Sequence, residues 1–459
     1  MTSLLVRRDA EFGIPVQARL SPSDAHLAQQ AKDILSQNWL GNATKPAPNL
    51  YPYQWSWDSG FIAMGYAHYD QERAMQELRS LFDGQWRNGL LPHIVFHNWD
   101  SGDKVYFPGP EYWQTERSPY APSHIATSGI IQPPVHATAA LHIYRHAPDR
   151  QQAYEFLVEL FPKLVSWHHY LYRERNPRED GLIYIRHPWE SGQDNSPLWD
   201  GIMQRIVLTP DMVPQYKRVD TREINQNHRP TNHDYDRYVY LLVQARECGY
   251  QESQVLQECP FLVQDVFFNS LLVKANRDLA TIARLLQFDP TPFEKWAQQT
   301  AIGMNAKLWN PRRGVYQSYD LVEEALIPAC VASNFTPLYA GIPGLLQAEW
   351  MVNHLTSPAF QSTDEPGWSV PSTSRLEAGF CPTKYWRGPV WLNLNWVLYQ
   401  GLRTYGAEDA ARKLRRMSLR LVKRSGFWEY FNPDTGEGLG TNNFSWTASL
   451  VLDLIFGEH

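Results

Sequence analysis

Apolar residues return at helical spacing from one end of this chain to the other. Segments near 23–37, 58–69, 71–87, 134–147, 151–174, 234–249, 261–287, 291–308, 343–354, 389–405, 407–424 and 444–456 all carry this period. In the first, Leu27, Ala31, Ile34 and Leu35 share one face. In 407–424, Ala411, Leu414, Met417 and Leu421 do the same, opposite Arg412, Lys413, Arg415 and Arg416, which reads as a solvated outer face. Start signals precede several segments: Ser21-Pro22-Ser23-Asp24 before the first, Pro133-Pro134 at the fourth, Pro389 at the tenth. Strand-like runs are short, Leu182-Ile183-Tyr184-Ile185 and Val105-Tyr106-Phe107. Helices arriving in pairs predict an all-α chain whose inner and outer helices close an (α/α)6 toroid. No Gly/Ser linker forces a boundary, so residues 1–459 are expected to form one domain.

Between the helical segments lie long loops, roughly 95–130, 186–233 and 356–388, rich in Pro, Gly, Trp and Tyr. Structureless loops beyond about 12–15 residues in a compact domain are usually functional. They are expected to form pocket walls and a cap.

The net charge of −6 gives no basic footprint, so nucleic acid and anionic membranes are poor partners. Mean hydropathy is −0.46, yet aromatics make up 13% of the chain. Aromatic faces stack on sugar rings while Tyr and Trp keep a polar edge for hydroxyls. The four cysteines, at 248, 259, 330 and 381, form no CxxC pair, which fits reduced thiols in the cytoplasm. Met1–Asp9 lacks the apolar stretch of a signal peptide, and no window reads as a membrane span.

Candidate chemistry centres on carboxylates among aromatics. The run Tyr51-Pro52-Tyr53-Gln54-Trp55-Ser56-Trp57-Asp58 places Asp58 either as a helix cap or as a sugar ligand, two compatible roles. His93 and Gln132 each neighbour a proline at a loop-to-helix junction, and for His93 a structural role is favoured. In Trp189-Glu190-Ser191-Gly192-Gln193-Asp194-Asn195-Ser196-Pro197, Glu190, Asp194 and the nearby Asp200 compete for an acid's role. Tyr385-Trp386-Arg387-Gly388-Pro389-Val390-Trp391 joins stacking surface to a guanidinium fork able to orient a carboxylate or donate to hydroxyls. Glu429 stands between aromatics just before an Asn432–Gly436 turn. Two carboxylates across a sugar-sized gap are the minimal equipment for glycoside hydrolysis. No GxSxG, Walker A, HExxH or GxGxxG motif is present, and His168-His169 lacks a companion ligand at i+4.

Together these residues resemble glycoside hydrolase family 63. The resemblance rests on Trp57-Asp58, the Glu190-Ser191-Gly192-x-Asp194-Asn195-Ser196-Pro197 loop, Trp386-Arg387-Gly388-Pro389-x-Trp391 and Glu429-Tyr430-x-x-Pro433-x-Thr435-Gly436. It implies an (α/α)6 toroid that cleaves an α-glycosidic bond with inversion, with no cofactor and no metal. It carries the general acid onto Asp194 and the general base onto Glu429. Trp55, Trp57, Trp386 and Trp391 become stacking walls, and Asp58, Gln132 and Arg387 sugar ligands. His93 and Gly192 join the substrate-binding set, and Tyr51, Tyr106, Tyr235 and Tyr385 become contacts to a small acidic aglycone. Short members resembling mannosylglycerate or glucosylglycerate hydrolases fit best by length. The related trehalases are demoted because their Gln-Trp-Asp-x-Pro signature is missing. The expected partner is a small glycoside; a homo-oligomer is compatible with the chain but not indicated by it. A trehalase-like α-glucosidase and a non-catalytic sugar-binding toroid are the alternatives.

Overall fold

The computed structural model describes residues 20–99, 106–222, 224–361 and 369–457. The N-terminal stretch read for a signal peptide lies outside them, as do Val105 and parts of the 95–130 and 356–388 loops.

Six inner elements close a ring. Helix Ser56–Tyr66 packs on His136–His146, which packs on Val266–Leu285, then the 3-10 stretch Ala332–Leu338, then Leu392–Thr404, then Ser445–Phe456, which returns to Ser56–Tyr66. Pro22–Gln37, Gln71–Asp83, Arg150–Glu174, Thr291–Gly303, Leu345–Leu355 and Glu408–Ser425 pack outside them. Composition explains the division. Every residue of Ser56–Tyr66 and nearly every residue of Ser445–Phe456 is buried. Glu408–Ser425 instead buries Ala411, Leu414, Met417 and Leu421 and exposes Arg412, Lys413 and Arg416. A helix apolar all round sits inside; an amphipathic one sits at the surface. Side-chain caps fix several starts: Ser21 Oγ accepts from Asp24 N at 3.1 Å, and Asp265 Oδ2 from Phe268 N at 2.9 Å.

The expected dozen helical segments are present, but one is not part of the ring. Asn232–Glu247 packs on the short helix Pro110–Trp113 and on the loop after strand Tyr184–Ile185. Its place in the ring belongs to Ala332–Leu338, whose Pro337 and polar residues show no apolar period to read. Tyr106-Phe107 is not a strand, whereas Tyr184–Ile185 is. The latter belongs to an antiparallel sheet with Val263–Gln264, Tyr319–Asp320 and Ala325–Leu326. The Asn432–Gly436 turn closes a hairpin of Tyr430–Phe431 and Gly438–Leu439.

Where the ring closes, backbones nearly touch. A Cβ on Gly65 would stand 2.5 Å from Ser449 Cα, an atom that cannot rotate away. An exposed Gly→Ala change in a helix usually stabilises. Gly65→Ala is instead expected to cost about 1–3 kcal/mol by overpacking. Gly201→Ala, with open space around it, is expected to be neutral or stabilising. Denaturant midpoints of the two variants check the opposite signs.

Candidate active site

Four inner elements begin at one mouth of the ring, and residues at their starts line a single cleft. Trp57 and Asp58 lie in the first turn of Ser56–Tyr66, and Gln132 just precedes His136–His146. Trp391 is the N-cap of Leu392–Thr404, and Trp446 opens Ser445–Phe456. Loops supply the rest: Tyr106 from the first, Gly192, Asp194 and Arg229 from the second, Tyr385 and Trp386 from the third.

Of the residues singled out in the sequence, Tyr51, Trp55, Trp57, Asp58, His93, Tyr106, Gln132, Gly192, Asp194, Tyr235, Tyr385, Trp386, Trp391 and Glu429 all line this cleft. Asp58 is not a cap. It occupies the third helical position, and the N-cap, Trp55, makes no side-chain cap bond. Its carboxyl is buried in the cleft, where desolvation and the charges of Glu429 and Glu77 raise its pKa well above the usual range. Gln132 Oε1 accepts from Trp57 N at 3.1 Å. Trp386 and Trp391 stack in parallel at 3.9 Å, and Trp57 meets Trp446 edge-on at 5.2 Å, forming a rigid aromatic wall. His93 bonds Ser128 Oγ at 2.9 Å and lies parallel to Trp189; burial pulls its pKa well down, so it is neutral.

Arg387 is a correction. It does not line the cleft. Its fork grips Asp200 through two bonds of 2.7 Å, and Nη1 also donates to Asn195 O at 3.3 Å. Trp386 N donates to Asn195 Oδ1 at 2.9 Å, and Tyr238 Oη to Asp194 O at 2.9 Å. Arg387 therefore anchors the loop that presents Asp194. Gly192 permits that loop's turn: its φ is +70°, and a Cβ would lie 2.5 Å from the Trp57 ring.

The three loop carboxylates stand in different surroundings. Glu190 is sealed against Arg175 by bonds of 2.9 and 3.0 Å, accepts from Arg186 N at 2.7 Å, and has a lowered pKa despite its burial. Asp200 is held by Arg387. Only Asp194 faces the cleft. Desolvation pushes its pKa up to about 7; Arg229 opposes this and Glu429 reinforces it.

Glu429 is the more deeply buried of the two and differently supported. Tyr51 Oη donates to its Oε1 at 2.8 Å, Thr441 N to Oε2 at 3.3 Å, and Arg229 Nη1 stands 3.6 Å from Oε1. Desolvation still raises its pKa, but Arg229, Tyr51, Thr441 and Tyr385 all act to lower it. Gly440, at φ +77°, keeps the space a Cβ would take from Oε2.

Arg229 was not singled out in the sequence, yet it is the only Arg or Lys lining the cleft among the described residues. Nε donates to Asp220 at 3.3 Å, Nη2 to Tyr51 Oη at 3.2 Å, and the guanidinium lies 3.9 Å over the Tyr385 ring. Asp220 is shared with Arg218 through bonds of 3.0 and 2.7 Å. Nη1 makes the long contact with Glu429 and no hydrogen bond. Arg229, Asp220, Trp189, Tyr238 and Trp446 are among the lining residues to which motif reading gave no role. Only the length of the 186–233 loop pointed toward the first three.

Two stability effects follow from these surroundings. Glu190→Gln is expected to cost about 3–5 kcal/mol, because it strands the buried Arg175 charge; chemical denaturation measures it. Asp194 binds its proton more tightly folded, about 7, than at its ordinary 3.8. Its stability contribution is thus full below pH 3.8 and is lost as pH rises through about 7. Asp194→Asn should therefore melt above the parent at pH 8, with the difference vanishing near pH 4. Calorimetry at the two pH values checks this.

The mannosylglycerate hydrolase MGH1-like glycoside hydrolase domain matches residues 51–447. The mannosylglycerate hydrolase of Rubrobacter radiotolerans is 50% identical over 95% of this chain and 98% of its own. The glucosylglycerate hydrolase of Mycolicibacterium hassiacum is 37% identical over 93% and 97%. The family 63 mannosylglycerate hydrolase of Thermus thermophilus, solved with Tris and D-glycerate, superposes with a TM-score of 0.86 at 43% identity, over 93% of this chain and 99% of that one. Among the described residues no helix is long and apolar enough to cross a membrane. An inner ring presenting acidic and aromatic groups at one mouth, and this likeness over nearly the whole chain, lead to one conclusion: the chain belongs to the MGH1-like glycoside hydrolases of family 63.

Proposed function

We propose that the protein hydrolyses the α-glycosidic bond of mannosylglycerate or glucosylglycerate with inversion, Asp194 acting as general acid and Glu429 as general base. The observation that carries the substrate class is Arg229, a buried guanidinium in an otherwise acidic and aromatic cleft, with Nη1 lacking a hydrogen-bond acceptor. A glyceric-acid aglycone brings the carboxylate that such a fork accepts. The tyrosines around it, Tyr51, Tyr106, Tyr235 and Tyr385, supply hydroxyls for the aglycone. The names of the relatives point the same way.

The division of labour follows from the charges. With a pKa near 7, Asp194 still holds a proton at neutral pH and passes it to the leaving oxygen. Glu429, whose ionised form Arg229 and Tyr51 favour against the opposing effect of burial, draws a proton from water attacking the opposite face of the anomeric carbon. Trp57 and Trp386 stack on the sugar, with Trp391, sandwiched between Trp386 and Tyr430, backing the wall, while Asp58 and Gln132 take the sugar's hydroxyls. In this reading the loops at 95–130, 186–233 and 356–388 are walls and lid of one catalytic domain. The four unpaired cysteines suit a cytoplasmic enzyme.

A hydrolysis panel of mannosylglycerate, glucosylglycerate, trehalose, kojibiose, nigerose and maltose tests the substrate class, with released monosaccharide measured. Turnover of a neutral disaccharide ahead of both glycerates would overturn it and favour the trehalase-like alternative. NMR of the first product anomer tests inversion. Asp194→Asn and Glu429→Gln should each lower kcat by about 10²–10⁴-fold, and near-normal turnover would remove that residue from its role. For the parent, kcat/KM should fall above about pH 7 as Asp194 loses its proton.

A further inference from the structure

At the mouth of the ring opposite the cleft, three inner helices end together, and each brings a metal-binding side chain. His68 follows Ser56–Tyr66 by two residues, His142 and His146 occupy the last turns of His136–His146, and Asp453 the last turn of Ser445–Phe456. One ligand atom from each of the three histidines lies within 4.8 Å of the others. Asp453 Oδ1 stands 2.9 Å from His68 Nε2 and 3.2 Å from His142 Nε2. Bonds of about 2.0–2.1 Å to zinc give a tetrahedron with edges of about 3.3 Å; the Asp453 contacts are close to that edge, and the histidine nitrogens would draw in around the ion.

Three further observations favour a cation over a simple cluster of imidazoles. The orphan carbonyls at the three helix ends carry partial negative charge toward the site. The side chains are also held as metal ligands usually are. Trp396 Nε1 donates to Asp453 Oδ2 at 2.7 Å, fixing the carboxylate. His146 Nδ1 donates to His142 O at 2.9 Å, the tautomer that leaves the Nε2 lone pair outward. Finally, the three rings crowd together at centroid separations of 4.1, 4.6 and 5.3 Å. His146 is exposed, which leaves a path for entry.

We propose that His68, His142 and His146, with Asp453 bonded to the first two, bind one divalent ion of the zinc class, away from the catalytic cleft. Imidazole nitrogens exclude Mg²⁺ and Ca²⁺ as the preferred occupants. Binding joins the first, second and last inner elements across the ring's closure, so the ion is a structural clamp. The pair His142/His146 escapes motif reading because its partners lie at positions 68 and 453.

The test uses the full chain stripped with chelator, then titrated with Zn²⁺ by calorimetry and with Co²⁺ by visible absorption. The expected result is one ion per chain, an intense tetrahedral Co²⁺ spectrum, and a Tm that rises with Zn²⁺ concentration. His146→Gln, at an exposed position, should weaken binding by more than about 10-fold and cancel the Tm rise. Asp453→Asn should do so while leaving the histidines in place. Unchanged affinity in His146→Gln, or a Tm indifferent to Zn²⁺, overturns the proposal and leaves a hydrogen-bonded histidine–aspartate cluster.

Discussion

Removal of water from the cleft governs its chemistry. Asp58, Asp194 and Glu429 converge among tryptophans and tyrosines, and each has its proton affinity raised by desolvation. One guanidinium counters this, and it does so unevenly. Arg229 and Tyr51 sit against Glu429, whereas Asp194 is bonded to the protein chiefly through its backbone carbonyl. Two carboxyls of similar intrinsic acidity thus stand in different surroundings, the kind of arrangement that lets a site hold one acid and one base at one pH. Asp220 and Arg218 fix Arg229 in turn, so the asymmetry depends on a chain of buried charges.

The ring imposes a second order on the molecule. Its inner helices run parallel to one another, so positive helix ends and first-turn side chains gather at one mouth and negative ends at the other. The cleft uses the first end, where Trp57, Asp58, Trp391 and Trp446 enter together. The cluster of His68, His142, His146 and Asp453 stands at the second. Neither would exist if the elements alternated in direction. The close approach of Gly65 to Ser449 shows how tightly closure is enforced.

Much of this could be read along the chain, and the misses have physical causes. Helical periods marked eleven of the twelve ring elements because each presents at least one apolar face. The twelfth, Ala332–Leu338, has no such period and is held by its surroundings, as where Asn334 Nδ2 donates to Tyr316 O at 2.6 Å. Asn232–Glu247 has the period but buries its face on a loop assembly. The same limit explains Arg387 and Arg229. In the chain Arg387 stands among aromatics and Arg229 does not; which one enters the cleft depends on where Asp200 and Asp220 stand.

The sequence by itself determined the all-helical ring, the aromatic character of the site, and the two carboxylates whose neighbours carry the family likeness. These depend on residues close together in the chain, where period, punctuation and motif are local properties. Tertiary structure alone decided which of Glu190, Asp194 and Asp200 remains available, which guanidinium neutralises the cleft, and which histidines meet. Those outcomes arise from burial and pairing between positions up to hundreds of residues apart, and electrostatic energy in a dry interior depends on distance in space.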